Sequence, residues 1–494
     1  MFYKKSLPIK SRSEKEFEFD MFAKPPNTYD DETQLKVGEA QKVYNFISAD
    51  GTLKSGYGFK KLAMPTSKTN LTEEVEVVTR GQIKALWQLQ YYDKKMDDTK
   101  YYLLYFNEEK YVCYDNMFEN RYEPFIIITK FTEVPFVCQC RKDLQDALLL
   151  SGNGAGFMVV TGSSITSTLN AEKIISCCNH YGKLFAITAQ KRGCLVYNED
   201  INILEWSDEK TKDLDFGDSR GDLNKIISFN DYLYIFRDFG ITKVSQFGKD
   251  ELFEINNIYL ADSHIYPNTI AEMGENIYFL EGSKLRVFNG SSVKTETIDC
   301  LNILNGCNNR YAYGVGYDGK YYLACRCNFN DDQVIGCESE NDYKNNTLIV
   351  YDTFTKHIDI MRGVDINMLI VFKNKYKSKV LACFRGQNIN KLGQLTFDGS
   401  VFGNFNEAVW QSGKTDFGIN GRLKRIKSFL IKSISDCTVT FESERGEKTF
   451  NVKGKDALQN IKANVLGNQF IVKINSKGSQ NTNISNFVVT VSCG

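Results

Sequence analysis

The sequence predicts an all-β fold: a β-propeller of about six to seven four-stranded blades with a C-terminal β-sandwich-like domain. Three observations lead to this expectation. The 494-residue chain contains 27 Tyr and 34 Phe, an aromatic content that favours strands. Short runs of Ile, Tyr, Phe and Val recur between turn signals made of Gly, Asn and Asp. These runs are grouped in fours, and the group itself is repeated along the chain.

The clearest repeating unit is Asn224–Ile255, which has the pattern of four strands joined by three turns. Its expected strands are Lys225–Phe229, Tyr232–Phe236, Ile241–Phe247 and Leu252–Ile255. Its expected turns are Asn230-Asp231, Asp238-Phe239-Gly240 and Gly248-Lys249-Asp250. One four-stranded meander cannot bury its own faces, so neighbours of the same kind are expected.

Similar groups lie on both sides of this unit. Lys173–Ser176 and Lys225–Ser228 open two of them with nearly the same residues, about 52 positions apart. This spacing fits a blade period of roughly 40 to 50 residues plus one loop insertion. Two separate sandwiches would also explain the strand density. They would not explain the grouping in fours, so the sequence favours the propeller.

A change of pattern near residue 410 sets the expected domain boundaries. Trp410–Gly418 is a break punctuated by Gly, and clean strand alternation follows it. The expected domains are an extended N-terminal arm at 1–40, the β-propeller at 41–410 and the β-sandwich-like domain at 411–494. Within the propeller, the polar segment Asn328–Asn346 has little to bury and is expected to be an exposed insertion between blade strands.

Composition narrows the function classes. With 61 basic and 61 acidic side chains the formal charge is +0, so no global field draws the chain to nucleic acid or to an anionic membrane. No apolar stretch approaches the roughly 20 residues of a membrane span, and the N-terminus lacks the apolar run of a signal peptide. We therefore expect synthesis in a cytoplasm and reduced thiols.

Metal and cofactor sites are not expected. The 14 cysteines contain no CxxC, and the three histidines, His180, His264 and His357, lie far apart, so buried core thiols are favoured over a zinc site. Four acids crowd one loop, and a solvated connection between blades is favoured over calcium because the spacing is not that of an EF-hand. They are Asp213, Asp215, Asp218 and Asp222.

No catalytic residues are assigned. The sequence shows no nucleophile elbow, zinc-protease, P-loop or dinucleotide pattern in a suitable context. Arg220-Gly221-Asp222 matches an adhesive tripeptide but is interpreted as a turn. Glu205, Asp208 and Glu209 have no partner that would identify them as a glycosidase pair.

One basic concentration stands out, formed by Arg422, Lys424, Arg425 and Lys427, with Lys432 beyond. Alternation along a strand divides these charges between two faces. A solvated sheet edge that blocks aggregation is favoured. A contact to an acidic neighbour or to DNA phosphate is the alternative.

The layout of the chain resembles tail and head-completion proteins of tailed bacteriophages. The residues that carry the resemblance are Glu39-Ala40, Asn45, Gly51-Thr52-Leu53, Gly56-Tyr57-Gly58, Asn224–Ser245, Lys414–Gly418 and Lys424–Lys427. It is similar in particular to the nozzle and packaged-DNA-stabilisation proteins of short-tailed phages, which carry a β-propeller and assemble as a ring below the portal.

The resemblance implies a structural virion protein of the tail or neck, made in the bacterial host cytoplasm and without catalytic activity of its own. Its expected partners are further copies in a ring, a portal or connector/adaptor protein, other tail proteins and packaged DNA. The second function class is a propeller binding module or glycan-acting enzyme, with its site in loops at one mouth of the channel.

Overall fold

The structure is a computed structural model that describes most of the chain. The described residues are 14–18, 39–62, 66–70, 73–76, 83–94, 97–107, 112–115, 127–128, 131–143, 145–153, 156–161, 164–167, 172–247, 252–296, 301–329, 342–373, 377–419, 421–477 and 481–493. Nearly all regular structure in these ranges is β-strand. Short 3₁₀ turns occur at Ile203–Glu205, Pro267–Thr269, Leu301–Leu304 and Gly386–Asn388. No helix in the described part of the chain is long and apolar enough to cross a membrane.

The strands before the first blade are Glu14–Glu18 (β1), Ala40–Tyr44 (β2), Phe46–Ala49 (β3), Thr52–Ser55 (β4), Gly58–Lys61 (β5), Thr66–Asn70 (β6) and Glu73–Glu76 (β7). Strands β6 and β7 form a separate hairpin, whereas the others join larger sheets described below.

Six consecutive four-stranded antiparallel sheets follow, each with its strands in sequence order. Blade 1 contains Ile83–Asp93 (β8), Asp98–Asn107 (β9), Val112–Asp115 (β10) and Ile127–Ile128 (β11). Blade 2 contains Phe136–Lys142 (β12), Gln145–Gly152 (β13), Gly156–Thr161 (β14) and Ser164–Ser167 (β15). Blade 3 contains Ile174–His180 (β16), Lys183–Thr188 (β17), Cys194–Asn198 (β18) and Thr211–Asp215 (β19).

The next three blades repeat this order. Blade 4 contains Leu223–Phe229 (β20), Tyr232–Arg237 (β21), Gly240–Phe247 (β22) and Leu252–Leu260 (β23). Blade 5 contains Ala271–Met273 (β24), Asn276–Glu281 (β25), Lys284–Phe288 (β26) and Val293–Thr295 (β27). Blade 6 contains Tyr313–Tyr317 (β28), Lys320–Cys325 (β29), Thr347–Asp352 (β30) and Ile358–Arg362 (β31).

Blade 4 confirms the unit predicted from the sequence. Asn230 and Asp231 both have positive φ, at 46° and 62°, which gives the tight turn whose twist matches the flanking strands. The second predicted turn separates β21 from β22 as expected. The third, at Gly248-Lys249-Asp250, lies outside the described residues.

Blade 7 is closed by a strand from the start of the chain. Its strands are Ile366–Lys373 (β32), Ser378–Phe384 (β33), Leu392–Thr396 (β34), Ser400–Val401 (β35) and Asn404–Phe405 (β36), together with β5. Strand β5 pairs antiparallel with β34, with Phe59 opposite Leu395, and takes the fourth position of the blade. The described strands thus form seven blades, at the upper end of the predicted number.

The propeller core consists of apolar clusters between neighbouring blades. Phe185 of blade 3 and Ile235 of blade 4 belong to one such cluster, and both are fully buried. The ring closes because Phe372 of blade 7 shares a cluster with Leu86 of blade 1. First strands of adjacent blades are also linked by polar bonds: the Ile226 N–H donates to Ser176 Oγ at 3.1 Å. These first strands line the central channel.

The remaining strands form a β-sandwich. They are Ala408–Ser412 (β37), Lys424–Ser433 (β38), Cys437–Ser443 (β39), Gly446–Val452 (β40), Lys455–Gly467 (β41), Phe470–Ser476 (β42) and Asn483–Cys493 (β43). One sheet has the order β3-β4-β43-β38-β41, with β1 added to β43, and the other β2-β37-β42-β39-β40. Trp410, Phe429, Phe441 and Phe470 are fully buried between them.

Two of the expected domain assignments differ from the structure. The propeller was expected to begin at residue 41, but β2, β3 and β4 complete the two sheets of the sandwich, and only β5 belongs to the propeller. Alternation in these strands indicates a half-buried surface, and it does not show which sheet covers that surface. Likewise, part of the expected arm, Glu14–Glu18, is a strand of the sandwich.

The ends of the predicted insertion Asn328–Asn346 are packed against the propeller, so it is not exposed throughout. The Asn346 amide donates to the Cys327 carbonyl at 2.9 Å, and its oxygen accepts the Cys327 N–H at 2.8 Å. The Phe329 ring lies 5.0 Å from that of Tyr44. Residues 330–341 lie outside the described part of the chain.

Blade 6 and the sandwich are joined by a hydrogen-bonded junction centred on Asn45, which is 6% exposed. Its N–H donates to the Ile360 carbonyl at 2.9 Å, and its side-chain oxygen accepts the Arg362 N–H at 2.8 Å. Its amide donates to the Glu407 carbonyl at 2.8 Å. A Cβ on Gly56 would lie 2.3 Å from the backbone carbonyl oxygen of Asn45, so only glycine fits at position 56.

Candidate functional site

The four aspartates that the sequence places in one loop are divided between strand β19 and the loop that follows it. Asp213 pairs with Lys191 at 2.7 Å, and Asp222 lies 3.9 Å from Arg192. Asp215 accepts the Gly217 N–H at 2.9 Å. No group of three or more metal-ligating side chains occurs among the described residues. The expectation of a loop connecting blades is correct for Asp218 and Asp222 and wrong for Asp213 and Asp215, which lie on β19.

The fourth acid, Asp218, belongs to a buried arginine cluster. Arg237 ends β21, is 1% exposed, and lies 2.8 Å from Asp218 Oδ1. It also donates to the carbonyls of Phe216 and Gly221, each at 2.8 Å. Burial opposes ionisation of Asp218, but the Arg220 N–H and the charges of Arg237 and Arg220 outweigh it and lower its pKa. The cluster therefore fixes the loop between blades 3 and 4.

The ion pair between Arg237 and Asp218 leads to a stability prediction. Arg237→Leu should lower the free energy of unfolding by about 2 kcal/mol near neutral pH, because three acceptors lose a charged donor. The loss should be present above the ordinary carboxylate pKa and should shrink as pH falls through the lowered pKa of Asp218. Urea unfolding of Lys191→Ala, which breaks an exposed ion pair, provides the control and should change stability by less than about 1 kcal/mol. Equal losses in the two variants would contradict this account.

Arg220-Gly221-Asp222 forms a turn, as predicted. The φ of Gly221 is +77°. The Arg220 side chain is held by Asp218 at 3.1 Å. Its guanidinium is therefore engaged within the protein.

Of the acids considered for glycoside chemistry, Glu205 contacts Lys210, and Asp208 and Glu209 lie in the following turn. The pair Glu205–Lys210 is exposed on both sides. These three residues do not place two carboxylates on opposite sides of a cleft.

The histidines have separate polar partners. His180 Nδ1 lies 2.7 Å from Ser228 Oγ, His264 Nδ1 lies 3.7 Å from Asp238, and His357 Nε2 lies 3.2 Å from Asp359. Asp359 also accepts from the Tyr57 hydroxyl at 3.4 Å, so His357 lies close to the junction with the sandwich.

The cysteines that the structure describes are free thiols. Cys325 and Cys327, two residues apart, have their sulfurs 3.7 Å from each other. Burial raises the pKa of Cys178 and of Cys307 to about 11, which keeps these thiols protonated and weakly nucleophilic near neutral pH. They behave as small core side chains.

The central channel carries polar side chains that connect neighbouring blades. Gln88 of blade 1 accepts the Lys373 N–H of blade 7 at 2.9 Å, and the Gln139 amide of blade 2 donates to the Gln88 carbonyl at 3.3 Å. The Lys225 amine of blade 4 donates to the Ile270 carbonyl at 2.8 Å. Burial lowers the pKa of Lys225 to about 8. These bonds use the channel groups to hold the ring of blades together.

The predicted basic concentration is not a solvated sheet edge. Its strand, β38, lies between β43 and β41 in the middle of a sheet. Lys424 is 1% exposed, and its amine donates to the carbonyls of Arg422 at 3.0 Å and Asn468 at 2.7 Å. Lys427 forms an exposed ion pair with Glu14 of β1, so part of this charge is paired within the chain.

The comparisons with known proteins add little to this geometry. No protein-family model matches the chain. None of the curated proteins matches it either. A solved structure, the crystal structure of BBS1N in complex with ARL6DN, soaked with lead, is similar with a TM-score of 0.40 and 8% identity. The match covers 67% of this chain and 96% of that one. At this TM-score the likeness carries no information about activity or partners.

Proposed function

We propose that the chain is a structural virion protein of a tailed phage. It forms a ring with further copies at the head-to-tail junction or tail nozzle, beside a portal or connector protein, and helps to retain or conduct DNA. It has no catalytic activity of its own in this proposal, and it is made in the cytoplasm of the bacterial host.

The observation that carries the proposal is the docking of β1 on the sandwich. Strand β43 pairs with β4 only through Ile484 and Asn483. The arm strand β1 pairs with the other half of the same edge, from Val488 to Ser492. A segment of the N-terminal arm therefore completes a sheet edge by backbone pairing.

The docking depends on few side chains. Four of the five side chains of β1 are exposed, and Phe17 is the anchor, with its ring 5.0 Å from Phe417. Backbone pairing with one anchor is the chemistry of β-strand addition, which operates equally within a chain and between chains. Residues 19–38 separate this strand from Glu39. Fully extended, this segment would span about 70 Å, which is the greatest distance over which the arm could reach a neighbour. An arm of this kind supports assembly through a heterologous interface that closes as a ring.

The junction at Asn45 provides further support. Because the sandwich is hydrogen-bonded to blade 6, a neighbour that holds the arm also fixes the orientation of the propeller. Burial, followed by the nearby Asp359 carboxylate, raises the pKa of Tyr57 above its ordinary value. The phenol therefore stays neutral and donates to Asp359 across the junction.

Deleting residues 1–38 tests the role of the arm. We expect the intact chain, mixed with the connector encoded beside it, to give a ring-sized particle by mass photometry. The deletion variant should remain a monomer with a circular dichroism spectrum like that of the intact chain. Phe17→Ala, which removes the anchor and leaves the arm in place, should weaken assembly to an intermediate degree. Unchanged rings in the deletion variant would show that the arm does not assemble the protein.

A further inference from the structure

A group of cations surrounds one exposed tyrosine on loops of blades 6 and 7. We call Arg310, Tyr311, Lys344 and Arg385 the cation patch. Arg310 lies 4.6 Å from the centroid of the Tyr311 ring, Arg385 5.4 Å and Lys344 5.9 Å. The Tyr311 side chain is 38% exposed, and Arg310 and Lys344 are exposed. We propose that the cation patch binds the phosphates of duplex DNA.

Buried polar groups hold the loops of the patch together. Asp365, which is 8% exposed, accepts the N–H groups of Lys344 at 3.3 Å and of Asn345 at 3.1 Å. The Asn345 amide, fully buried, donates to the Tyr311 carbonyl at 2.7 Å. The three cations come from separate segments of the chain and are brought to the same ring by this network.

The charges around the ring are only partly compensated. Arg385 forms an ion pair with Asp365 at 3.2 Å. Arg310 and Lys344 extend from their loops against the face of the ring, which attracts cations through its quadrupole. Like charges held this close repel each other, and an anion bound among them would relieve that repulsion.

The exposure of the patch favours a polyanion over a small ligand. Two of its three cations are exposed, so each contact with a phosphate remains in water and is weak. Duplex DNA carries one charge per about 1.7 Å of axis, so it offers several contacts at once. The role of this binding in the virion rests on the proposed function.

A nearby acid limits the expected affinity. Asp342, two residues before Lys344, is exposed. We therefore expect a dissociation constant near the weak end of the roughly 10⁻⁶ to 10⁻⁴ M range of non-specific DNA binding.

Fluorescence anisotropy of a labelled 30-base-pair duplex, titrated with the intact chain at several salt concentrations, tests the proposal. Arg310→Ala/Lys344→Ala should weaken binding by about tenfold and reduce the slope of log K against log salt by about 2. Arg445→Ala/Lys462→Ala removes the same charge from two exposed residues of the sandwich and should change binding by less than about twofold. Tyr311→Ala should weaken binding, whereas Tyr311→Phe, which keeps the ring, should retain it.

Three results would overturn the inference. Equal losses in the two double variants would show non-specific attraction. If inorganic phosphate or polyglutamate binds the patch and the duplex does not, the patch belongs to a small anion or to an acidic protein. The DNA titration uses the isolated chain and does not depend on ring assembly. A chain that assembles as a ring but shows no patch-dependent DNA binding therefore refutes this inference alone. A chain that binds DNA through the patch but never assembles refutes the proposed function alone.

Discussion

Phe59→Ala should lower the free energy of unfolding of the propeller by about 4 kcal/mol, the largest effect expected here. Phe59 is fully buried, and its ring lies 5.1 Å from that of Phe384. It stands on β5, the strand that closes blade 7, so the cavity would open where the first and last parts of the propeller meet. Urea unfolding followed by circular dichroism measures the loss.

Phe354→Ala is the matched control, because it deletes the same side chain at a position that is 84% exposed. It should change stability by no more than about 0.5 kcal/mol. If Phe59→Ala were as mild as this control, β5 would not be the strand that closes the ring.

Asn45→Ala should cost about 3 kcal/mol at the junction of the sandwich and blade 6. The variant leaves the Arg362 N–H and the Glu407 carbonyl without their partner in a buried site. It also places Ala at a φ of 59°, a left-handed conformation that Asn adopts more readily than Ala. Urea unfolding followed by circular dichroism reports the change.

Two variants separate the causes of that loss. Asn45→Gly removes the amide but tolerates the positive φ, so it should recover about 1 kcal/mol relative to Asn45→Ala. Asn486→Ala places Ala at a similar φ of 51° on an exposed residue and should show only the backbone cost. A loss in Asn45→Ala no greater than in Asn486→Ala would mean that the hydrogen bonds do not hold the domains together.

The blade strands could be predicted from the sequence because their signals are local. In blade 4 the apolar runs and the Asn230-Asp231 turn lie within one stretch of chain, and each predicted strand has its counterpart in the structure. The number of blades needed information that is not local. The closing strand β5 is separated from its partner β34 by most of the chain, and its four residues resemble those of any short strand.

Two strands of the sandwich are hard to predict for physical reasons. Strand β41 gives a weak signal because its first half is exposed and carries Lys, Gln and Asn, which weakens the alternation. Strand β38 was interpreted as an edge because of its basic residues. A lysine can nevertheless be buried when backbone carbonyls accept its protons, as those of Arg422 and Asn468 do for Lys424.

The candidate sites depend on contacts between distant residues. Asp218 was noted as part of an acidic loop, but its partner Arg237 lies on a strand and gives no separate signal in the sequence. The cation patch joins Arg310, Lys344 and Arg385, which form no basic run. Only the folding of blades 6 and 7 brings them to Tyr311.

Electron microscopy of the intact chain with the connector encoded beside it tests the central proposal most directly. We expect class averages of a closed ring in which each subunit presents a seven-bladed propeller and a sandwich, stacked on the connector. A chain that remains monomeric with every neighbouring gene product, yet binds or cleaves a glycan, would contradict the proposal and identify the protein as a propeller binding module or glycan-acting enzyme.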